Sequence, residues 1–254
     1  RRVLFRSIGC FAVAAAALIV FIVRELRCEN PLLNLKLLGE RNFGVSMAVL
    51  AIFGIGMLGG TYLLPLYMQK GLGYTAIMAG SVFLPVGLIQ GVLSTCSGFL
   101  TRYIKPLFIA VTGILVMTLS FYFASRFTLH TTHAQIMLVL YLRGFGMGLT
   151  FAPLNDFSLM NLSQRDMASA AGISNSIKQL SGSVSIALLT VILTGRTAFH
   201  SAQGGLSSAE SYVAGISDDF LFVTFVSLAS ALPFLWLLRP RRKAASFKSE
   251  GTGT

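Results

Sequence analysis

The sequence predicts an all-α integral membrane protein, and three observations carry that prediction. Hydrophobic residues make up 54% of the 254-residue chain and charged residues only 11%, whereas a soluble domain of this size carries about a quarter charged residues. The apolar residues gather into seven runs, most of them of the roughly 20 residues that a helix needs to cross about 30 Å of hydrocarbon. The basic residues, which give a net charge of +11, fall in the gaps between the runs. That is the distribution expected of cytoplasmic loops, not of a folded patch for nucleic acid, so no nucleic-acid partner is expected. The ten-residue alternation of a membrane β-barrel is missing from the pattern.

Taken in order, the first run covers residues 8–23, is slightly short, and ends at Arg24-Glu25. The chain opens on Arg1-Arg2 and enters this run within a few residues, with no cleavable signal peptide. An N-terminal portion is therefore expected to be missing, and residues 1–7 need not be native. Residues 1–24 read as one transmembrane helix and 25–42 as a cytoplasmic linker. Within the linker, NPLLNLKLL over 30–38 places its leucines on one helical side. It is either a short helix lying on the membrane face or an apolar connection between spans.

The next runs cover 43–67, 76–100, 107–124, 134–154 and 168–194, and the last covers 220–238. All are rich in Gly and Ala with scattered Pro, tolerated where neighbouring helices re-satisfy the backbone. Residues 195–219, rich in Ser, Ala and Gly, read as the longest outer loop, and 240–254 as a basic, disordered cytoplasmic tail touching anionic lipid. One side of this topology collects Arg24, Arg27, Lys36, Arg41, Arg102, Lys105, Arg165 and the basic tail. The other side has Lys70, Arg126, Arg196 and the three N-terminal arginines. The positive-inside rule puts the first set, and the C-terminus, in the cytoplasm of a multi-pass inner or plasma-membrane protein. Arg1, Arg2 and Arg6 oppose this, and are discounted because an artificial chain start carries no topological selection.

Enzyme chemistry finds no parts. His130, His133 and His200 fall in expected outer loops, no HExxH motif or paired intramembrane aspartates occur, and no strand precedes the glycine run at 143–148. Cys10, Cys28 and Cys96 lack metal-ligand or CxxC spacing and read as reduced and structural. No metal and no cofactor are expected.

The chemistry instead lies in polar residues at membrane depth. Arg143 sits roughly 13 Å into its span, and Lys178 is similarly deep from the other side. A buried cation costs at least ~2.5 kcal/mol there and usually faces a cavity or a partner. The pair either serves transport or ties the helices to carbonyls or to a carboxylate. Gly172, Asn175, Lys178, Gln179 and Gly182 share one helical face, which fits a water-filled path or a packing seam. Gly144 and Gly148 form a small-xxx-small pair on the face that carries Asn155, and read as packing. Asp156, just past Pro153 and too far from Arg143 for a direct pair, is either a gate partner for a loop cation such as Arg165 or a solvated interface carboxylate.

Several stretches resemble a known family. Asn30-Pro-Leu-Leu-Asn-Leu and Arg41-Asn-Phe43, Tyr62-Leu-Leu-Pro-Leu-Tyr-Met-Gln69, Gly71-Leu-Gly-Tyr74 and Ala79-Gly80 are similar to the drug:proton antiporters with fourteen spans in the major facilitator superfamily. The strongest stretch runs through Arg143-Gly-Phe-Gly-Met-Gly148, Ala152-Pro153, Ala168-Ser-Ala-Ala-Gly172, Asn175 and Lys178-Gln-Leu-Ser-Gly-Ser183. The resemblance covers nearly all of residues 24–239. Lys178 stands where the family usually has Arg, keeping the charge without the planar fork. Arg102 takes a position that many relatives fill with Asp, so the family's gate pattern is broken there.

The resemblance implies that residues 43–239 are the C-terminal six-helix bundle of a two-half transporter, preceded by one helix of an inter-half pair. It implies export of drugs or amphiphilic small molecules by proton antiport, with the halves rocking around a midplane site. Arg143, Asn155, Asn175, Lys178, Gln179 and Tyr62 are placed on the substrate or coupling path. Asp156, Arg102 and Arg165 are placed as gate or interface charges, and Gly144, Gly148, Gly172 and Gly182 at helix contacts. The implied partners are a small-molecule substrate, protons, the lipid bilayer and the missing N-terminal half, with an adaptor and an outer-membrane channel left open. Two midplane cations without a midplane carboxylate put the coupling acid in that missing half. The competing reading is a membrane scaffold or sensor that keeps the bundle but transports nothing.

Overall fold

The computed structural model describes residues 17, 20, 23–25, 34–160, 162–202, 205 and 207–233. The expected span at 8–23 lies outside these residues apart from helical positions 17, 20 and 23, and the tail at 240–254 lies wholly outside them. Six α helices dominate: α1 Arg41–Leu66, α2 Ala76–Leu100, α3 Pro106–Ala124, α4 His133–Leu159, α5 Met167–Ala202 and α6 Ser208–Ala229. Each is long and apolar enough to cross a membrane, and no strand occurs among the described residues. The all-α membrane fold read from composition is the fold observed.

Local chemistry sets the helix ends. Thr75 Oγ1 accepts the Met78 N–H at 3.2 Å to open α2, and Pro106 takes the first turn of α3, where its missing N–H costs nothing. The Thr132 N–H donates to Gln135 Oε1 at 3.0 Å to open α4. α1 carries Pro65, and beyond it the helix widens into a π turn over Tyr67–Gly71. Pro65 has no N–H to give to the Thr61 carbonyl one turn back, and the π turn is closed by the Leu72 N–H donating to the Tyr67 carbonyl at 3.1 Å. Tyr67 in that turn is fully buried, donates its hydroxyl to the Thr128 carbonyl at 2.7 Å and stacks on Phe127 with ring centres 4.8 Å apart.

The connections sort to two ends. At one end lie the 3-10 turn Leu35–Gly39 and the loops 101–105 and 160–166. The Asn34 N–H donates to Ser169 Oγ and its Nδ2 to Asp166 Oδ1 at 3.1 Å, which docks the turn onto the start of α5. Of the two readings for the linker, residues 35–39 thus form a helical turn, with Leu37 buried against the bundle. At the other end, Ser217 Oγ donates to the Phe127 carbonyl at 2.9 Å, and Lys70 lies over the Tyr212 ring at 5.8 Å.

Packing follows an internal symmetry. α4 packs on α2 and α3, as α1 packs on α5 and α6, and the α3–α6 and α1–α4 contacts join the two groups. α1 and α4 are three crossings apart and so run in opposite directions, which makes α1–α3 and α4–α6 inverted repeats. Small residues permit the closest crossing: a Cβ on Gly146 would lie 2.8 Å from the Met117 backbone N, and one on Gly113 would lie 2.8 Å from the Thr150 backbone N. Serines cross-link neighbours, with Ser97 Oγ donating to the Gly148 carbonyl at 2.9 Å and Ser185 Oγ to the Ile55 carbonyl at 2.7 Å. Phe43, Phe53, Phe121 and Phe220 are buried in the core. The two symmetry-equivalent helices α2 and α5 are the outermost, with Ile77, Leu84, Leu88, Leu180 and Val191 all exposed.

The structure corrects the expected outer loop at 195–219 and the start of the last span at 220. α5 continues to Ala202 and α6 begins at Ser208. Two features make this segment helical. Ser207 and Glu210 exchange hydrogen bonds, N–H to Oε2 at 2.7 Å and N–H to Oγ at 3.2 Å, forming a capping box. Val213, Ile216, Phe220 and Val223 then recur every three or four residues and are all buried. Asp218 and Asp219 therefore lie inside a spanning helix, His200 lies in α5, and His133 opens α4. Residues 234–238 of the expected last span lie outside the described residues.

Candidate functional site

α1, α4 and α5 line an open cavity of about 370 Å³ on the half of the bundle nearer the 160–166 loop. Its lining includes Leu50 from α1, Phe151 and Asn155 from α4, and Ser174, Asn175 and Lys178 from α5. The i, i+3 spacing of Asn175 and Lys178 puts both on the face that α5 turns to α4. Lys178 Nζ lies over the Phe151 ring, 4.8 Å from its centre, and no carboxylate pairs with it among the described residues. A cation on an aromatic face, flanked by two amides and an apolar wall, suits an amphiphilic guest better than a fully polar one.

Arg143 is separate from this cavity, about 12 Å along α4 from Phe151. It is 3% exposed, and Nη2 donates to the Met57 carbonyl at 3.0 Å and to Thr61 Oγ1, both on α1. Its Nε has no partner among the described residues. Gly60 clears space for it, since a Cβ there would lie 3.3 Å from Arg143 Nε and closer still to the Phe121 ring. Arg143 thus ties together the first helices of the two repeats.

The remaining path residues are dispersed. Tyr62 is half-buried, and its hydroxyl accepts from Thr190 Oγ1 at 3.2 Å, bridging α1 and α5 away from the cavity. Gln179 is exposed and does not line the cavity. The glycines lie at helix contacts: a Cβ on Gly144 would meet Val86 at 3.1 Å, one on Gly148 would meet Leu93 Cβ at 2.7 Å, and one on Gly182 would strike the Leu58 side chain. Gly172 is half-buried on α5.

At the end with the 101–105 loop, Asp156 Oδ2 accepts from Thr101 Oγ1 at 3.4 Å. Arg102 lies over the Phe99 ring at 5.4 Å, and Arg165 is exposed in the neighbouring loop. Asp156 forms no ion pair among the described residues in this conformation. Nearby, Asp166 accepts from Ser163 Oγ at 2.7 Å and from Asn34, and these two bonds hold its carboxyl below the usual carboxylate range.

Sequence reasoning missed two residues because it placed them in a loop. Asp218 accepts from Arg196 Nε at 3.1 Å and lies 2.9 Å from His200 Nε2. All but Arg196 line a second cavity, about 570 Å³, at the other end of the bundle. Asp219, one residue on, is fully buried, and neither of its oxygens has a hydrogen-bond partner among the described residues. Asp219 thus adds a buried carboxylate to this half, toward the end of the bundle that carries Phe127 rather than beside Arg143.

Comparison with known proteins adds an independent line. A sequence profile of the Major Facilitator Superfamily matches residues 1–186. The chain is 32% identical over 191 residues to the uncharacterized MFS-type transporter YhcA of Bacillus subtilis, covering 75% of this chain and 36% of that protein. It is 26% identical over 233 residues to lincomycin resistance protein LmrB of Listeria innocua, covering 90% and 50%. It is 31% identical over 192 residues to multidrug export protein EmrB of Haemophilus influenzae, covering 75% and 38%. The chain spans half the length or less of these relatives.

Proposed function

The chain belongs to the Major Facilitator Superfamily, and on that premise we propose that it forms one six-helix half of a transporter exporting amphiphilic small molecules or drugs in exchange for protons. The observation that carries the reading is the cavity between α1, α4 and α5, where Lys178 sits on Phe151 beside Asn155 and Asn175. A scaffold that only packed its helices would have no need of a half-buried cation on an aromatic face beside two amides and an open cavity. The names of LmrB and EmrB, lincomycin resistance and multidrug export, support export as the direction.

A partner half of the same protein is part of the proposal. α2 carries Gly80, Gly87, Gly91 and Gly98 on one stripe, and a Cβ on any of them would meet nothing within 4 Å. A glycine stripe facing open space fits a seam where a further helix approaches closely. The two halves then rock about the cavity, with the 101–105 and 160–166 loops and the C-terminal tail cytoplasmic.

The test uses the full gene product that contains this chain, in everted membrane vesicles. Imposing an inward-acid pH gradient should drive uptake of fluorescent amphiphilic dyes, and a protonophore should abolish it. Dye movement indifferent to the gradient and to Lys178→Met would overturn the reading.

A further inference from the structure

The α5–α6 seam holds buried polar atoms that the bundle does not satisfy. Ser211, Gly215 and Asp219 recur every four residues, so they share one face of α6. Opposite them stands Thr197 of α5, whose Oγ1 would lie 2.6 Å from a Cβ on Gly215. Ser211 Oγ, Thr197 Oγ1 and both carboxylate oxygens of Asp219 are buried without hydrogen-bond partners among the described residues. Native interiors leave few such atoms, and a run of them along one seam calls for a role.

Asp219 lies two residues along α6 from Ser217, whose Oγ meets the Phe127 carbonyl just past the end of α3, and so sits toward the end of the bundle that carries the 125–132 loop. An ionised carboxylate buried without donors is strongly disfavoured, and binding a proton is the inexpensive way to keep it there. Its neighbour is in the opposite setting: Asp218 faces Arg196 and His200 and lines the open cavity of about 570 Å³. Two adjacent carboxylates in contrasting surroundings divide their work, one solvated and charge-paired, the other buried.

The charged and titratable groups around Asp219 come from every packed element. α6 itself supplies Asp218 and Tyr212, and α1 supplies Tyr62, with Tyr67 and Lys70 in its π turn. α5 supplies Arg196 and His200, both engaged with Asp218. α3 supplies only Tyr122, exposed and bonded to Arg126. No cation lies within ion-pair distance of Asp219 among the described residues.

We propose that Asp219 is a proton-carrying residue of this bundle, reached from the Asp218–His200 cavity along Ser211 and Thr197. The proposal rests on the proton-antiport reading above. The step moves one proton: a hydronium ion at the cavity gives it to the Asp219 carboxylate, leaving water and a carboxylic acid, with no other bond changed. The reverse step occurs when substrate binding opens the seam.

The experiment uses the full-length protein and three variants, Asp219→Asn, Asp219→Glu and Thr197→Val. Infrared difference spectra with isotope-labelled aspartate should show a protonated carboxyl band in the wild type that Asp219→Asn removes. Proton release on adding an amphiphilic dye, followed with a pH indicator, should fall by about one proton per molecule in Asp219→Asn and return in Asp219→Glu. Thr197→Val should slow release without changing its extent. An unchanged carboxyl band or unchanged release in Asp219→Asn overturns the carrier role and leaves antiport standing. Wild-type protein that binds dye but releases no proton fails the antiport reading, and the carrier role with it.

Discussion

Lys178 and Phe151 decide whether the α1–α4–α5 cavity is functional or merely a packing defect. If the cation serves the guest or its proton linkage, charge matters more than bulk. In the full-length protein, Lys178→Met should fold and insert normally yet lower dye efflux about tenfold or more, a loss of about 1.4 kcal/mol in the effective barrier. Lys178→Arg should retain efflux, since the guanidinium also stacks on Phe151. If packing were the whole role, Met would cost little, because it keeps the length and apolar bulk of a half-buried lysine that has no ion-pair partner among the described residues. Efflux and thermal stability measured in the same membranes separate these outcomes. Asp166 supports a second prediction at this scale. Ser163 and Asn34 hold its carboxyl below its unfolded value, so the stabilisation is present above about pH 4 and is lost as pH falls through the lower folded value. Melting curves should show a stability gap between wild type and Asp166→Ala at neutral pH that closes in acid. A gap that persists unchanged in acid contradicts the assignment. The burial of Arg143 and the shared face of Asn175 and Lys178 were legible from spacing alone. The partners of Arg143 were not, because backbone carbonyls carry no sequence signal, nor was Phe151, because an aromatic residue facing a cation reads like one facing lipid.

Helix contacts explain which glycines matter. A Cβ on Gly148 would sit 2.7 Å from Leu93 Cβ, while one on Gly87 meets nothing within 4 Å. Gly148→Val should therefore push α4 off α2 and destabilise the bundle by about 1–3 kcal/mol. Gly87→Val should leave the stability of this bundle unchanged and impair the full-length transporter if another helix closes on that stripe. Thermal unfolding of both variants, in the isolated chain and in the full-length protein, checks the contrast; equal effects in both backgrounds would mean that lipid alone covers α2. The α6 boundary shows how an element is misread. Residues 208–219 are too polar to register as membrane-spanning, so hydropathy placed the helix start at 220. The capping residues Ser207 and Glu210 and the period of Val213, Ile216 and Phe220 marked the true start. A capping box and a helical period outweigh low hydropathy when a neighbouring helix, rather than lipid, covers the segment. Missing them hid Asp219.

At the scale of the molecule, the inverted pairing of α1–α3 with α4–α6 places the first helices of both repeats, α1 and α4, around Arg143 and beside the cavity, and leaves the second helices, α2 and α5, outermost. Composition was enough to identify the membrane class, because 11% charged residues cannot solvate the surface of a 254-residue chain. The symmetric contacts were not readable, since apolar faces that meet lipid and apolar faces that meet protein have the same composition. The role proposed for this bundle is one half of a proton-coupled exporter whose cavity closes against a second bundle. The most direct measurement is substrate-dependent proton flux across proteoliposomes holding either the full gene product or residues 1–254 alone. Adding an amphiphilic dye to the full-length liposomes should move protons, an effect lost in Lys178→Met, and residues 1–254 alone should show none. Equal dye-dependent flux from residues 1–254 alone, or no flux from active full-length protein, would contradict the proposed role.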